Sequence, residues 1–197
     1  MKAYIIGNGT SRKGFDLESL RNKGTIFGCN ALYRDFTPDY LVAIDDKIIG
    51  EINHAMDVGD CKVPRLRFIV PSWNECFEET TGRRSNAGMN AMKEAIKMGH
   101  KQLYCFGFDF LMDSDVSVKN VYDGTDCYGP ETRANREDNV NRVAYMEYVA
   151  LNNRDVTFTF LFPRTDEPLK LLTVSCDNVQ GMFYDVFEER VLNDSPT

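Results

Sequence analysis

Short, continuously apolar runs alternate along this chain with segments of helical period, and no other feature narrows its fold as far. Runs at 3–6, 25–29, 40–44, 67–70, 103–106 and 156–162 read as strands, several of them closed by Gly or Pro. Between them, 15–21, 47–56, 86–98 and 140–151 read as helices, with Asp16 placed to cap the first. The clearest is 86–98: Ala87, Ala91, Ala95 and Met98 form one stripe, Met92 and Ile96 flank it, and Gly99 supplies a stop. Strands that are apolar at successive positions are buried on both faces, as in a parallel sheet covered by helices on each side. The expected fold is α/β, a Rossmann-like three-layer sandwich with a mostly parallel sheet of about six or seven strands. Residues 171–174 are a candidate for the last strand.

The 197 residues suit a single domain, expected over 1–190, with 191–197 as a tail. Residues 111–139 interrupt the alternation with a stretch rich in Asp, Asn, Gly and Thr, which reads as a long polar loop or lid. Thirty acidic against 23 basic residues leave a net charge of −7, which argues against nucleic acid and anionic membrane surfaces as partners. The apolar run after Met1-Lys2 is too short for a signal peptide, and no run approaches the ~20 residues of a membrane span. Six scattered cysteines without a C-x-x-C pair, and only two histidines, offer no zinc pattern and point to a reduced, cytoplasmic setting. Cys29 and Cys105 read as small buried hydrophobes, His54 and His100 as structural, and Phe158, Phe160 and Phe162 as core.

In an open parallel sheet, ligands bind beyond the carboxyl ends of the strands. The polar groups expected there are the loop from Gly7 to Ser11, then Asn30, Asp45 with Asp46, Ser72, and Gly107-Phe108-Asp109. The first loop lets the backbone approach a ligand and presents Asn8, Thr10 and Ser11, yet it is neither a G-x-G-x-x-G fingerprint nor a P-loop. Ser85 or Asn86 can cap helix 86–98, and with Arg83 and Arg84 alongside the helix start makes an anion site. Asp45 and Asp109 each offer a strand-end carboxylate to a ribose hydroxyl, a cation or an acceptor proton. Tyr122 and Tyr128, in the polar loop, are candidates for stacking on a base or sugar.

Taken in order, these segments resemble the sialyltransferase-like superfamily. It includes the bacterial family 42 sialyltransferases and the related domain of flagellar-glycosylation motility accessory factors and archaeal hydroxymethylpterin pyrophosphokinases. Asn8-Gly9-Thr10-Ser11 is similar to its "N-G-P-S" loop, and Phe27-Gly28-Cys29-Asn30 to its second strand. Arg84-Ser85-Asn86-Ala87-Gly88, continuing to Gly107-Phe108-Asp109-Phe110, resembles its "R-x-T-S-G … G-x-D" block. The resemblance implies that Asn8, Gly9, Asn30, Asn86, Ala87 and Gly107 surround a nucleotide, with Thr10, Ser11 and Phe108 in the same loops. It further implies that Tyr122 and Tyr128 steady the leaving phosphate, with Arg84 as a further phosphate partner.

The expected activity is therefore nucleotide-sugar-dependent glycosyl transfer, with a CMP-sugar donor, a saccharide acceptor and no required cofactor. Where the sialyltransferases carry a general-base His, residues 111–139 contain none, and Asn135 or Arg136 stands in its place. That leaves Asp109 or Asp45 as the catalytic base, with a raised pKa. The alternative is a Mg²⁺-dependent pyrophosphokinase or phosphotransferase, because the string from Pro38 to Asp45 looks more like the motility-factor and pterin-kinase branch. A nucleotide-binding module without catalysis is the third reading, and oligomerisation is left open.

Overall fold

β1 (Lys2–Ile6) forms the centre of a seven-stranded sheet in the computed structural model, which describes residues 1–78, 83–112, 119–166, 168, 170–172 and 176–193. From β1 the chain builds outward through β2 (Thr25–Cys29), β3 (Tyr40–Val42) and β4 (Phe68–Ile69). After a two-stranded antiparallel pair, β5 (Phe77–Glu78) with β6 (Arg83–Arg84), it crosses back. β7 (Gln102–Phe106) then pairs with the other side of β1, and β8 (Thr157–Phe162) and β9 (Val179–Phe183) follow outward. The order is β4-β3-β2-β1-β7-β8-β9 and every ladder in this sheet is parallel. The direction of winding reverses between β1 and β7, so their carboxyl ends diverge into a crevice.

Alternation along the strands sorts the core into two layers. Ala3 and Ile5 face one side, where they meet Met89, Met92 and Ala95 of α2 (Ala87–Lys97) and Met146 and Val149 of α3 (Arg136–Leu151). Tyr4 and Ile6 face the other, against Leu17, Leu20, Leu32, Ile48 and Ile52, the last two from α1 (Asp46–Val58). Phe187 of α4 (Tyr184–Phe187) closes this layer edge-on to Tyr4 and Phe106. Each large side chain buried this way contributes about 1.5–3 kcal/mol. The expected α/β Rossmann-like sandwich is the observed one, with helices on both faces of a parallel sheet.

The differences from expectation are local. Residues 15–21 form a 3₁₀ segment, Leu17–Leu20, whose cap Asp16 accepts the Glu18 N–H at 3.0 Å. α3 starts four residues before the expected 140, because Asn135 and Asp138 form a reciprocal capping box. The last strand is Val179–Phe183 rather than 171–174, where Leu171 and Leu172 are not in a strand and 173–174 lie outside the described residues. Residues 119–139 of the polar loop are folded down: Val121 N–H donates to the Asn8 carbonyl at 2.8 Å, and Asn120 bridges to Gly9. Val191 and Leu192 belong to a single π-helical turn, and Lys23 Nζ holds the Leu192 carbonyl at 2.9 Å. Among the described residues no helix is long and apolar enough to cross a membrane.

Candidate functional site

The loops after β1 and β7 touch through bare backbone. Gly7 N–H donates to the Phe106 carbonyl at 2.8 Å, and Gly9 N–H to the Gly107 carbonyl at 3.0 Å. A Cβ on Gly9 would stand 2.6 Å from the Gly107 oxygen and 2.5 Å from Asp109 Oδ1, so no side chain fits. Gly107 itself has φ +68°, a conformation glycine adopts without strain. This contact leaves a deep pocket of about 140 Å³ at the switch point, lined by Asn8, Gly9, Asn30, Asn86, Gly107 and Asp109, among others. Ala87 and Phe108 line it too, so most of the nucleotide-binding residues expected from sequence share one small cavity.

Two asparagines that line it carry unmet acceptors among the described residues. Asn8 Nδ2 donates to the Cys29 carbonyl at 3.0 Å, tying the end of β1 to β2, while its Oδ1 is buried without a partner among the described residues. Asn30 follows β2 with φ +50°, and its Oδ1 is likewise buried and unpartnered. A buried acceptor without a donor is costly, by roughly 1–3 kcal/mol, and is met in folded proteins by water or by a ligand. Asn86 caps α2, accepting the Met89 N–H at 2.9 Å. The next two residues, Ala87 and Gly88, have no intrahelical acceptor for their N–H groups, and both line the pocket.

The deep pocket opens into a cleft of about 600 Å³ that shares Asn30, Asn86, Ala87, Tyr128 and Arg142 with it. That volume is within the range of small-ligand sites, roughly 300–1,000 Å³. Its far wall is the start of α1, where Asp45, Asp46 and Lys47 line the cleft. Asp45 lies 3.8 Å from Arg84, both exposed, and the Arg84 guanidinium sits 4.9 Å over the Trp73 ring. The polar loop forms the roof, pinned by Arg34, which grips Glu51 and also reaches Thr125 Oγ1 and the Asp126 carbonyl. Burial alone would raise the Glu51 pKa; the hydrogen bonds from Arg34 and Tyr33 outweigh it and hold the carboxyl below its usual range.

The remaining candidates are placed differently. Asp109 lines the deep pocket, but its carboxylate is engaged: Ser11 Oγ donates to Oδ1, and Ser11 N–H and Thr10 Oγ1 donate to Oδ2 at 3.0 and 3.1 Å. Thr10 and Ser11 thus hold the β1 loop onto β7 and line neither cavity. Tyr128 lines both cavities, and its hydroxyl accepts the Ala31 N–H at 3.4 Å. Tyr122 does not: its hydroxyl donates to Asp35 and accepts from Arg12 at 2.9 Å, beside a separate open pocket. Burial pushes both tyrosine hydroxyls well up from their ordinary pKa. His54 is exposed on α1 and His100 is buried against Phe27, and neither lines the cleft. Asp45 and Asp109 fall in different compartments, and among the described residues no three His, Cys, Asp or Glu side chains are grouped to hold a metal ion.

Sequence reasoning missed Arg142. It projects from α3, lines both the deep pocket and the cleft, and is half-buried. Desolvation lowers its pKa, against the opposing pull of Asp138 and Asp45, and a guanidinium stays charged regardless. Asn120, Thr132 and Asn141 also line the cleft. The capping box at Asn135 was the available signal, because starting α3 there turns its first two turns toward the sheet's carboxyl edge. Compared with known proteins, the chain matches no family model, no curated protein and no solved structure.

Proposed function

We propose that this chain is a nucleotide-sugar-dependent glycosyltransferase of the sialyltransferase-like kind, using a CMP-sugar donor and a saccharide acceptor. The observation that carries the reading is the pocket at the β1/β7 switch point, where two buried asparagine acceptors stand unpartnered beside the open N-terminus of α2. Acceptors of this kind suit the amino group of a nucleobase, and a helix start suits a phosphate. The adjoining cleft then takes the sugar and the acceptor. Asp45 is the carboxylate best placed to receive the acceptor proton, being on the cleft wall with, among the described residues, a long contact to Arg84 as its one ion pair. Asp109 is better suited to holding the pocket's shape, since Ser11 and Thr10 occupy its oxygens. That same engagement disfavours a Mg²⁺ site shared by Asp45 and Asp109, which the pyrophosphokinase alternative needs.

A thermal-shift panel of CMP, CMP-sialic acid and ATP, each with Mg²⁺ or with EDTA, tests this directly. A ligand at 100 times its Kd stabilises by about 2.7 kcal/mol, or roughly 5–10 °C for a chain of this size. CMP and its sugar are expected to give that shift irrespective of EDTA, and sugar transfer is expected to be lost in Asp45→Asn with CMP binding retained. A shift by ATP alone that EDTA abolishes would favour the pyrophosphokinase instead. CMP binding without any transfer or donor hydrolysis would leave a binding module.

A further inference from the structure

We propose that Arg142 is the phosphate-holding cation of the site, standing where the deep pocket opens into the cleft. It deepens the nucleotide reading above, on which only the identity of the anion depends.

Three other guanidiniums packed into the fold hold carboxylates: Arg12 has Asp35, Arg34 has Glu51 and Arg133 has Asp123. Arg142 has none. Among the described residues no hydrogen bond or ion pair engages it, although it is half-buried and lines both cavities. Asp138 and Asp45 are near enough to act on its charge, yet neither forms an ion pair with it. A charged side chain withdrawn from water without a partner is unfavourable, so its retention at this place calls for an anion that comes and goes.

The surroundings fit a phosphate. The unpaired N–H groups of Ala87 and Gly88 line the same pocket, and the positive end of the α2 dipole adds to the guanidinium. Asn86 and Tyr128 border both cavities beside Arg142. The carboxylates of Asp45, Asp46 and Asp138 also face the cleft. Their field opposes any anion, so one that binds here must meet a fixed cation at short range. Arg142 supplies a planar fork of donors that grips phosphate oxygens in pairs. A phosphate so held divides the site, with the nucleoside on the asparagine side and the transferable group on the Asp45 side.

Calorimetric titration of the full chain with inorganic pyrophosphate, CMP and cytidine tests the assignment, using Arg142→Met and Arg142→Lys. Pyrophosphate and CMP are expected to bind the wild type. Arg142→Met is expected to weaken both roughly 10- to 100-fold while leaving cytidine unchanged, with Arg142→Lys between the two. Without ligand, Arg142→Met is expected to unfold at the same temperature as the wild type or higher, which a structural arginine would not allow. Equal affinity of Arg142→Met for pyrophosphate and CMP would overturn the proposal, as would the absence of anion binding to the wild type. Pyrophosphate binding that depends on Arg142, without any binding of cytidine or CMP, would uphold Arg142 as the anion site and defeat the nucleotide reading.

Discussion

Ser11 holds Asp109 at both ends of its carboxylate, through its hydroxyl on Oδ1 and through its backbone N–H on Oδ2 at 3.0 Å. The contact links the loop after β1 to the loop after β7 across the switch point, with Thr10 adding a third bond at 3.1 Å. Asp109→Asn replaces an acceptor by an amide donor facing these groups. It is expected to cost roughly 1–3 kcal/mol, at about 2–4 °C of melting temperature per kcal/mol. Asp45→Asn, on an exposed and distant pair, is expected to change stability by less than about 0.5 kcal/mol. Thermal denaturation of the two variants side by side checks the division between a shaping and a reacting carboxylate.

Tyr122 and Tyr128 are neighbours, with ring centroids 5.6 Å apart, but only Tyr128 borders the cleft. Tyr122→Phe removes a hydroxyl that Arg12 and Asp35 both use, leaving a buried guanidinium short of a partner. The expected result is a loss of roughly 1–3 kcal/mol in stability with CMP affinity unchanged, measured by denaturant unfolding and by titration. Weakened CMP binding in a stably folded Tyr122→Phe would return this ring to the ligand.

Much of this was legible in the sequence, and the parts that were not have physical reasons. Strands buried on both faces announce themselves as unbroken apolar runs, and six of the seven main-sheet strands fall within or beside the expected segments. The seventh, β9, is an edge strand of sequence VQGMF, whose Gln180 and Gly181 are exposed and dilute the pattern. The convergence of Asn8, Asn30 and Gly107 follows from strand order, because each stands past a strand's carboxyl end near the switch point, and Asn86 joins them as the cap of α2, the helix that leads into β7. Arg142 was hidden because a lone cation on a helix reads as solvated; only the packing of α3 against the sheet gives it a cavity to border.

Glu75 makes a pH-dependent tie between the 3₁₀ segment Trp73–Cys76 and α2. Lys97 at 2.6 Å, then the Ser72 N–H and hydroxyl at 2.8 and 2.9 Å, pull its pKa down from 4.5 to about 2. A folded-state pKa below the unfolded one stabilises above the unfolded value and is lost as pH falls. The contribution is therefore present above pH 4.5 and declines towards about pH 2. The side chain is 41% exposed, so screening limits the effect to about 1 kcal/mol or less. Wild type and Glu75→Gln, unfolded in urea across pH 7 to pH 2, are expected to differ most at pH 7, less at pH 3, and to converge only towards about pH 2.

Cys127 is the one half-buried thiol of the six, and it borders the cleft. Burial and then Glu51 raise its pKa, which makes it a slow nucleophile at neutral pH. Native protein treated with a thiol reagent is expected to modify Cys127 first, and CMP-sugar is expected to slow that step. Labelling of Cys29, whose pKa burial pushes up to about 12, is expected only on unfolding.

Asn30 gives the most direct measurement of all. Its backbone sits at φ +50°, where glycine is unstrained, and its side-chain Oδ1 has no partner among the described residues. Asn30→Gly therefore removes the proposed base-contacting group while relieving strain, and stability is expected to move by less than about 1 kcal/mol. Calorimetric titration of CMP into wild type and Asn30→Gly is expected to show binding to the wild type weakened at least roughly 10-fold in the variant. Equal binding by the two proteins, or none to the wild type, would contradict a nucleotide at the β1/β7 switch point.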